Sequence, residues 1–318
     1  MMTKKVVVGI DTSNYTTSVA ILDLSGKLIA NLKRPLKVKS GERGLRQSDA
    51  LFLHTVNIPD LMREANDLLA GASIAAIGVS SRPRNIDGSY MPCFLAGVSA
   101  AEASSAISGV PLYKFSHQCG HIMAAIYSSR RNDILERDFA AFHISGGTTE
   151  LVKVKPNDLG FEATVIGGTS DLNAGQIIDR IGVLMGLPFP CGQHIEKLAL
   201  ENNKKLPKRQ ISQNDMKVNL SGLENLASKL YLETNDKALV SAFVLDFIGR
   251  SIMAMSESYE SQFGKTTFVY AGGVMCNSII RNMICQRFDA VYAEPSLSSD
   301  NAVGIAELAR RAYIAERE

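Results

Sequence analysis

The sequence predicts an α/β protein of two lobes built from one unit used twice, and three observations predict it. The opening run Val6-Val7-Val8-Gly9-Ile10-Asp11 has the continuous apolar character of a buried strand. A polar turn over Thr12 to Thr17 and a second strand, Ser18-Val19-Ala20-Ile21-Leu22, follow it. The same design returns in the second half, where Phe139-Ala140-Ala141-Phe142-His143-Ile144 runs through Ser145-Gly146-Gly147-Thr148-Thr149 into Glu150-Leu151-Val152-Lys153-Val154. Helical periodicity follows each hairpin, and 318 residues, 46% of them hydrophobic, suffice for about two domains.

Taken in order, the first hairpin is followed by helices over 57–69 and 97–107, and the second by helices over 174–187, 223–232 and 237–262. A further strand over 266–270 delivers Ala271-Gly272-Gly273-Val274 to a helix over 277–288, a place where backbone can approach a nucleotide closely. Ser298-Ser299-Asp300-Asn301 reads as the cap of a last helix over 302–315. The expected division is a first lobe of residues 1–125, closed by the C-terminal helix 301–318, and a second of residues 126–300.

Composition narrows the class. A net charge of +2 makes no strong claim about nucleic acid, since a dedicated binder usually shows a more basic balance. Lys33, Arg34, Lys37, Lys39, Arg43 and Arg46 form one basic polar stretch, and Lys204, Lys205, Lys208 and Arg209 form another around Pro207. Each suits either phosphate contacts or a solvated charged face. The apolar run after Lys4 and Lys5 stops at Asp11, short of a signal peptide or membrane span, so a cytoplasmic protein with no membrane partner is expected. Cys93, Cys119, Cys191, Cys276 and Cys285 are odd in number and lack Cys-x-x-Cys spacing, as reduced thiols do.

The chemistry-bearing residues are few. His117 and His121 are two of only five histidines, and a four-residue spacing on a helix offers two imidazoles to one metal; it equally suits two histidines satisfied in a core. The glycines of Ser145-Gly146-Gly147-Thr148-Thr149 let amides and hydroxyls converge on a phosphate or acyl-phosphate oxygen, although a plain hairpin turn has the same pattern. Asp11-Thr12-Ser13 offers a similar tip. Two such tips across an interlobe cleft would follow the phosphate-binding logic of the actin, hexokinase and acetate-kinase architecture.

In these residues the chain resembles the threonylcarbamoyl-adenosine synthases, the TsaD family once labelled glycoproteases. The resemblance covers nearly the whole chain in motif order. The family's His-x-Glu-Gly-His helix is matched by His117-Gln118-Cys119-Gly120-His121, its Ser-Gly-Gly turn by Ser145-Gly146-Gly147, and its Ala-Gly-Glu-x-x-Asp-Lys helix by Ala174-Gly175-Gln176-Ile177-Ile178-Asp179-Arg180. Gly186 to Gly192, Ile195-Glu196-Lys197-Leu198-Ala199, Leu220-Ser221-Gly222-Leu223, Gly272-Gly273-Val274-Met275-Cys276-Asn277 and Asp300-Asn301 continue the series. The resemblance implies a duplicated ribonuclease-H-like, two-lobed fold with the active site in an interlobe cleft. It implies one divalent metal on His117, His121 and Asp300, iron by family precedent, although two histidines and one aspartate also suit zinc or manganese. It implies contacts from His143, Ile144, Ser145, Gly146, Gly147, Asp179, Gly192 and Asn277 to threonylcarbamoyl-AMP or ATP. The implied activity is metal-dependent transfer of threonylcarbamoyl to N6 of adenosine in tRNA, with TsaB-like and TsaE-like partners.

The chain departs from the family pattern at carboxylates. The tip usually written Glu-Thr-Ser-Cys-Asp-Glu-Thr is here Asp11-Thr12-Ser13-Asn14-Tyr15-Thr16-Thr17. Thr16, Cys119 and Gln176 stand where the family has acids, Thr148 where it has a histidine, and Arg82-Pro83-Arg84 where it has a Gly-Pro-Gly turn. Such losses bear on rate or acceptor. They keep open a paralogue that uses a carbamoyl-adenylate on another acceptor, or a non-catalytic nucleotide-binding partner. Arg82 and Arg84 suit either a phosphate fork or a charged loop. Cys119, about 200° around a helix from each histidine, is expected to face away from a metal they share. Protease activity has no support, because no glutamate lies between the histidines and no Cys or Ser has an identifiable base.

Overall fold

In the computed structural model, residues 4–13, 15–37, 45–86, 88–158 and 160–318 are described, and they form two compact units. One unit comprises residues 4–137, 155–164 and 293–318, and the other residues 138–154 and 165–292, so Asp300 falls in the same unit as His117 and His121.

The first unit is built on a five-stranded sheet. The hairpin is strand β1 (Lys5–Asp11) paired antiparallel with β2 (Thr16–Asp23), and β3 (Leu28–Pro35) extends it on the β2 side. On the other side β4 (Ser73–Arg82) runs parallel to β1, and β5 (Leu112–Ser116) parallel to β4, giving the order β3-β2-β1-β4-β5. Lys33 and Arg34 lie in β3 and Lys37 just after it, while Lys39 and Arg43 lie outside the described residues.

Helix α1 (Gln47–Leu69) starts well before 57 and passes through Pro59 without ending. Its buried stripe, Ala50, His54, Ile58, Leu61 and Ala65, recurs every three or four residues, and a histidine in that stripe hides its first half from an apolar count. Helix α2 (Phe94–Ser108) matches the expected 97–107, and α3 (His117–Ser129) follows β5 directly. Beyond these, the unit holds the short helix α9 (Pro295–Ser298) and α10 (Val303–Ala315). A Cβ on Gly9 of β1 would lie 2.6 Å from the Ala302 carbonyl at the start of α10, so the absence of a side chain there lets the last helix lie directly on the sheet.

The second unit repeats the plan. Strand β6 (Phe139–Ile144) pairs antiparallel with β7 (Thr149–Asn157), next to which lies β8 (Gly160–Thr169). On the other side β11 (Thr267–Ala271) runs parallel to β6, and β12 (Asp289–Tyr292) parallel to β11. The order β8-β7-β6-β11-β12 thus reproduces β3-β2-β1-β4-β5, and the two-residue strands β9 (Gln213–Asn214) and β10 (Lys217–Val218) extend it beyond β8. The match in order, and in the direction of the central hairpin and of the two strands beyond it, is what a duplicated ribonuclease-H-like fold requires.

The helices of this unit are α4 (Ala174–Leu184), α5 (Gly192–Leu200), α6 (Ser221–Thr234), α7 (Lys237–Phe263) and α8 (Ser278–Cys285). Helix α4 stops before 187 because Gly186 takes a left-handed φ of 74° and Leu187 N–H bonds back to the Gly182 carbonyl, a glycine-terminated helix end. The 27-residue α7 is long and apolar enough to cross a membrane by length and composition, yet 67% of its most apolar window is buried within the protein. Phe243, Val244, Phe247, Ile248 and Ile252 of α7 join Phe142, Phe268 and Tyr270 of the sheet in one core.

Candidate functional site

The carboxyl ends of three adjacent strands line up in the first unit. Asp11 ends β1, Ser80 lies near the end of β4, and Ser116 ends β5 and caps α3, its hydroxyl accepting a hydrogen bond from Cys119 N–H at 3.2 Å. His117 and His121 then lie on one face of α3, their rings 4.3 Å apart and edge-on. Asp300 reaches them from the turn between α9 and α10. Its Oδ1 is 3.6 Å from His117 Nε2 and 3.5 Å from His121 Nε2, and one donor atom from each of the three lies within 4.8 Å of the others.

Two glycines make this approach possible. A Cβ on Gly304, in the first turn of α10, would lie 1.9 Å from the Gly120 carbonyl and 2.8 Å from Ala124 N. One on Gly120 would meet Ile305 Cδ1 at 2.9 Å. Helices α3 and α10 therefore touch backbone to backbone beside the histidine pair, and the turn bearing Asp300 is carried in with α10. Lys33 of β3 ties down the same turn, its Nζ donating to the Ser296 carbonyl at 2.7 Å and to Ser299 Oγ at 3.2 Å.

The electrostatics are those of a compact charged cluster. Burial disfavours ionised Asp300, but a hydrogen bond and positive charge from His121 and His117, with the Tyr15 amide, outweigh it and hold its carboxyl at about 2. Burial likewise disfavours the charged form of His117, but Asp11 and then Asp300 overcome it and raise the imidazole above its ordinary value. For His121 burial and the neighbouring His117 win, and its value falls. Cys119 faces away from the cluster, its Sγ accepting from Asn85 Nδ2 at 3.3 Å, and burial pushes its thiol up. Arg82 is engaged locally, its guanidinium donating to Ser81 Oγ at 3.3 Å and to Asn85 Oδ1 at 3.0 Å.

The first-half tip does not behave as a phosphate loop. Asp11, Thr12 and Ser13 are buried, the Thr12 hydroxyl donates to the Cys93 carbonyl at 3.0 Å, and the Ser13 hydroxyl donates to Asp11 at 2.6 Å. These groups are spent on the protein itself, so the expectation of a phosphate-cradling tip there is corrected. Asn14 lies outside the described residues.

In the second unit five of the expected nucleotide contacts, His143 to Gly147, lie at the end of β6 and on the turn that follows it. His143 and Ile144 are buried at the end of β6, whereas Gly146 and Gly147 are exposed, with open space where a Cβ would be. The turn is closed by Ser145 N–H donating to the Thr148 carbonyl at 2.8 Å. The start of α4 lies against it: a Cβ on Gly175 would be 2.6 Å from the Ser145 carbonyl, and Ala174 N–H donates to Thr149 Oγ1 at 2.9 Å. Gly272, just after β11, flanks it, with φ at 96° and its would-be Cβ 2.3 Å from the Ile144 carbonyl.

Further along α4, Asp179 accepts from Cys191 N–H at 2.8 Å, next to Gly192, and burial raises its carboxyl above the ordinary value. It makes no ion pair with Arg180, whose guanidinium goes to Glu224 at 2.9 Å. Asn277 spends its side-chain oxygen capping α8, accepting from Ile280 N–H at 3.0 Å. Gln176 caps α4 in the same spirit, accepting from Asn173 N–H at 3.1 Å, so the amide keeps the hydrogen-bond role a glutamate would have there. Lys204 of the second basic stretch pairs with Asp236 at 2.7 Å.

The TsaD family model, described as tRNA N6-adenosine threonylcarbamoyltransferase, matches residues 38–307. The chain belongs to the TsaD family. A relative from Streptococcus suis (strain 05ZYH33) named tRNA N6-adenosine threonylcarbamoyltransferase is 30% identical, over 98% of this chain and 94% of its own length. One of the same name from Streptococcus equi subsp. zooepidemicus is 28% identical, over 98% and 93%. Among solved structures, HypF of T. kodakarensis aligns with a TM-score of 0.60 at 12% identity, over 99% of this chain and 48% of its own. A ROK family glucokinase from Streptomyces griseus aligns with a TM-score of 0.52 at 14% identity, over 96% and 99%. At such identities these two likenesses speak to the fold alone.

Within this TsaD-family site, Ser80 escaped the sequence reading, while Ser13 and Lys33, read as candidate phosphate contacts, instead hold Asp11 and the turn bearing Asp300. A serine in a strand carries no motif, and only the register of β1, β4 and β5 brings Ser80 beside Asp11.

Proposed function

We propose that the chain transfers a threonylcarbamoyl group from threonylcarbamoyl-AMP to N6 of adenosine in tRNA, using one divalent ion held by His117, His121 and Asp300. The observation that carries this reading is that the stretch matched by the family model contains these three donors, drawn from α3 and from a turn more than 170 residues later, gathered on one point.

The donor set fits an ion. Two ligands bonded to one metal at about 2.1 Å stand roughly 3.4 Å apart in a tetrahedral arrangement, close to the 3.5 and 3.6 Å that separate Asp300 Oδ1 from the two Nε2 atoms. Two imidazoles and one carboxylate suit iron, which the resemblance favours, and also zinc. When bound, the ion supplies Lewis acidity at a phosphate or carbamoyl oxygen, since three protein donors leave positions for substrate.

The protein's own groups bind and orient. The exposed Gly146–Gly147 backbone and the Ser145 hydroxyl line the acyl adenylate, Asp179 accepts from ribose hydroxyls with the oxygen not fully occupied by Cys191, and Gly192 offers backbone with no side chain in the way. In the transfer the adenosine amine forms a bond to the carbamoyl carbon, the bond from that carbon to the adenylate oxygen breaks, AMP leaves with its phosphate, and the proton given up by the amine passes to the departing phosphate or to water. The target base has to be extruded from any stack to reach such a site. We place the reaction in the cytoplasm, with TsaB-like and TsaE-like proteins as partners.

The test is incorporation of labelled threonine into unmodified tRNA by the purified protein given threonylcarbamoyl-AMP, alone and with TsaB and TsaE homologues from the same genome. Label that is lost in His117→Ala supports the assignment. Absence of label under both conditions, with the adenylate still bound, refutes the acceptor.

A further inference from the structure

Asp11 is fully buried at the end of β1, and its carboxylate is spoken for on both oxygens. Oδ2 accepts from the Ser13 hydroxyl at 2.6 Å, and Oδ1 accepts from the Ser80 hydroxyl and lies 3.2 Å from His117 Nδ1. A carboxylate has no proton to give, so His117 Nδ1–H is the donor, and in the neutral ring, the form that binds a metal, the lone pair lies on Nε2, the atom 3.6 Å from Asp300. The strand register prepares this line. Ile10 pairs with Val79, and Ser80 with Phe115, which sets Asp11, Ser80 and the start of α3 side by side at the carboxyl ends of the strands. Two hydroxyls, one from the turn after β1 and one from β4, hold the carboxylate, the carboxylate holds one ring nitrogen, and the other nitrogen points to Asp300.

We propose that Asp11 is the positioning residue of the metal centre: it fixes the orientation and tautomer of His117 so that Nε2 is presented to the ion, with Ser13 and Ser80 holding Asp11 in turn. The inference rests on the assignment of His117, His121 and Asp300 as metal ligands. Asp11 itself is not a ligand, because it contacts the nitrogen on the far side of the ring. A carboxylate behind a ligating imidazole both orients the ring and strengthens it as a donor, and removing such a partner weakens metal affinity by about 10–100-fold. The position therefore acts through histidine orientation, with no contact to the adenylate required.

The experiment measures Zn2+ affinity of the full chain by competition with a chromophoric chelator, for the wild type, Asp11→Asn, Ser80→Ala and His121→Ala. The expected result is tight one-to-one binding by the wild type, a loss of about 10–100-fold for Asp11→Asn, and a smaller loss for Ser80→Ala. His121→Ala loses a ligand outright and sets the floor. In the zinc-loaded wild type, 1H–15N correlation of labelled histidines shows a slowly exchanging Nδ1–H on His117, and this signal is lost or shifted in Asp11→Asn. Asp11→Asn binding zinc as tightly as the wild type with the Nδ1–H signal unchanged overturns the inference. If Asp11→Asn does not fold, Ser80→Ala decides, and unaltered affinity there overturns it. A wild type that binds no zinc, cobalt or iron sinks the ligand assignment instead, a separate outcome.

Discussion

Alanine at Gly304 is the most direct challenge to the way the donor cluster is assembled. The added Cβ would lie 1.9 Å from the Gly120 carbonyl oxygen, and side-chain carbons essentially never come within 3.0 Å of such an atom. The helices must therefore separate by at least 3.0 − 1.9 = 1.1 Å at this point, because the atom in the way is backbone and has no rotamer to escape into. Overpacking of this kind costs about 1–3 kcal/mol, or about 5 °C of melting temperature for a chain of this size. The functional effect is larger than the thermal one. Asp300 sits four residues before Gly304, and moving the start of α10 off α3 by about 1 Å stretches the 3.5 and 3.6 Å separations beyond what one ion spans. Zinc affinity is expected to fall at least tenfold while a mostly native circular dichroism spectrum persists. Gly304→Ala with wild-type zinc affinity and a reduced melting temperature would show that the cluster does not depend on this helix contact.

Three further outcomes follow from other contacts. Gly175→Ala would place a Cβ 2.6 Å from the Ser145 carbonyl and 2.7 Å from Gly146 Cα, so it should push the turn off α4 and weaken adenylate binding about tenfold with zinc affinity unchanged, as calorimetry with each ligand would read. Glu307 is buried and accepts from Arg310 at 2.7 and 2.8 Å and from Arg311 at 2.7 Å. Glu307→Gln should cost about 3 kcal/mol in denaturant unfolding, because it leaves two arginines facing a neutral amide. Asp23 accepts from Ser25 and Lys27 and pairs with Lys4. Burial opposes ionisation, but these partners outweigh it and lower its carboxyl from 3.8 to about 2. A carboxyl depressed in the folded state adds stability that is full above about pH 4 and is lost as pH falls through about 2. The stability gap between wild type and Asp23→Asn, about 2 kcal/mol at pH 6, should thus close across that window. A gap that does not change between pH 6 and pH 2 would refute the assignment.

Much of the frame was legible from local pattern. The runs at 6–10 and 139–142 are apolar throughout because central strands of these sheets are covered on both faces, and they fall on β1 and β6. The histidine pair was legible because a four-residue spacing has only one geometric meaning on a helix, and α3 supplies the helix. What was not legible depends on register and on contacts distant in sequence. β4 and β5 were not anticipated, and without them nothing places Ser80 beside Asp11. The tip Asp11-Thr12-Ser13 reads as solvent-facing by residue type, and only contacts such as Thr12 with Cys93 and with Gly97, 81 and 85 residues away in sequence, turn it inward.

The replaced acids are informative once their neighbours are known. Gln176 retains a capping hydrogen bond for which a neutral amide oxygen suffices, so the loss of charge there leaves the start of α4 intact. Cys119 lies on the side of α3 away from Asp300 and contacts Asn85 from the loop after β4, so a change there alters how that loop seats against α3 without removing a donor from the cluster. The parts that hold the site are instead the residues that have no side chain. Gly120 and Gly304 bring α3 and α10 into backbone contact beside the donors, and Gly175 and Gly272 do the same on either side of the Ser145 turn. In each unit the chemistry-bearing residues are thus held by a close backbone approach that tolerates no added carbon. The replacements at Gln176 and Cys119 leave these approaches intact, whereas substitutions at these glycines should loosen the site itself.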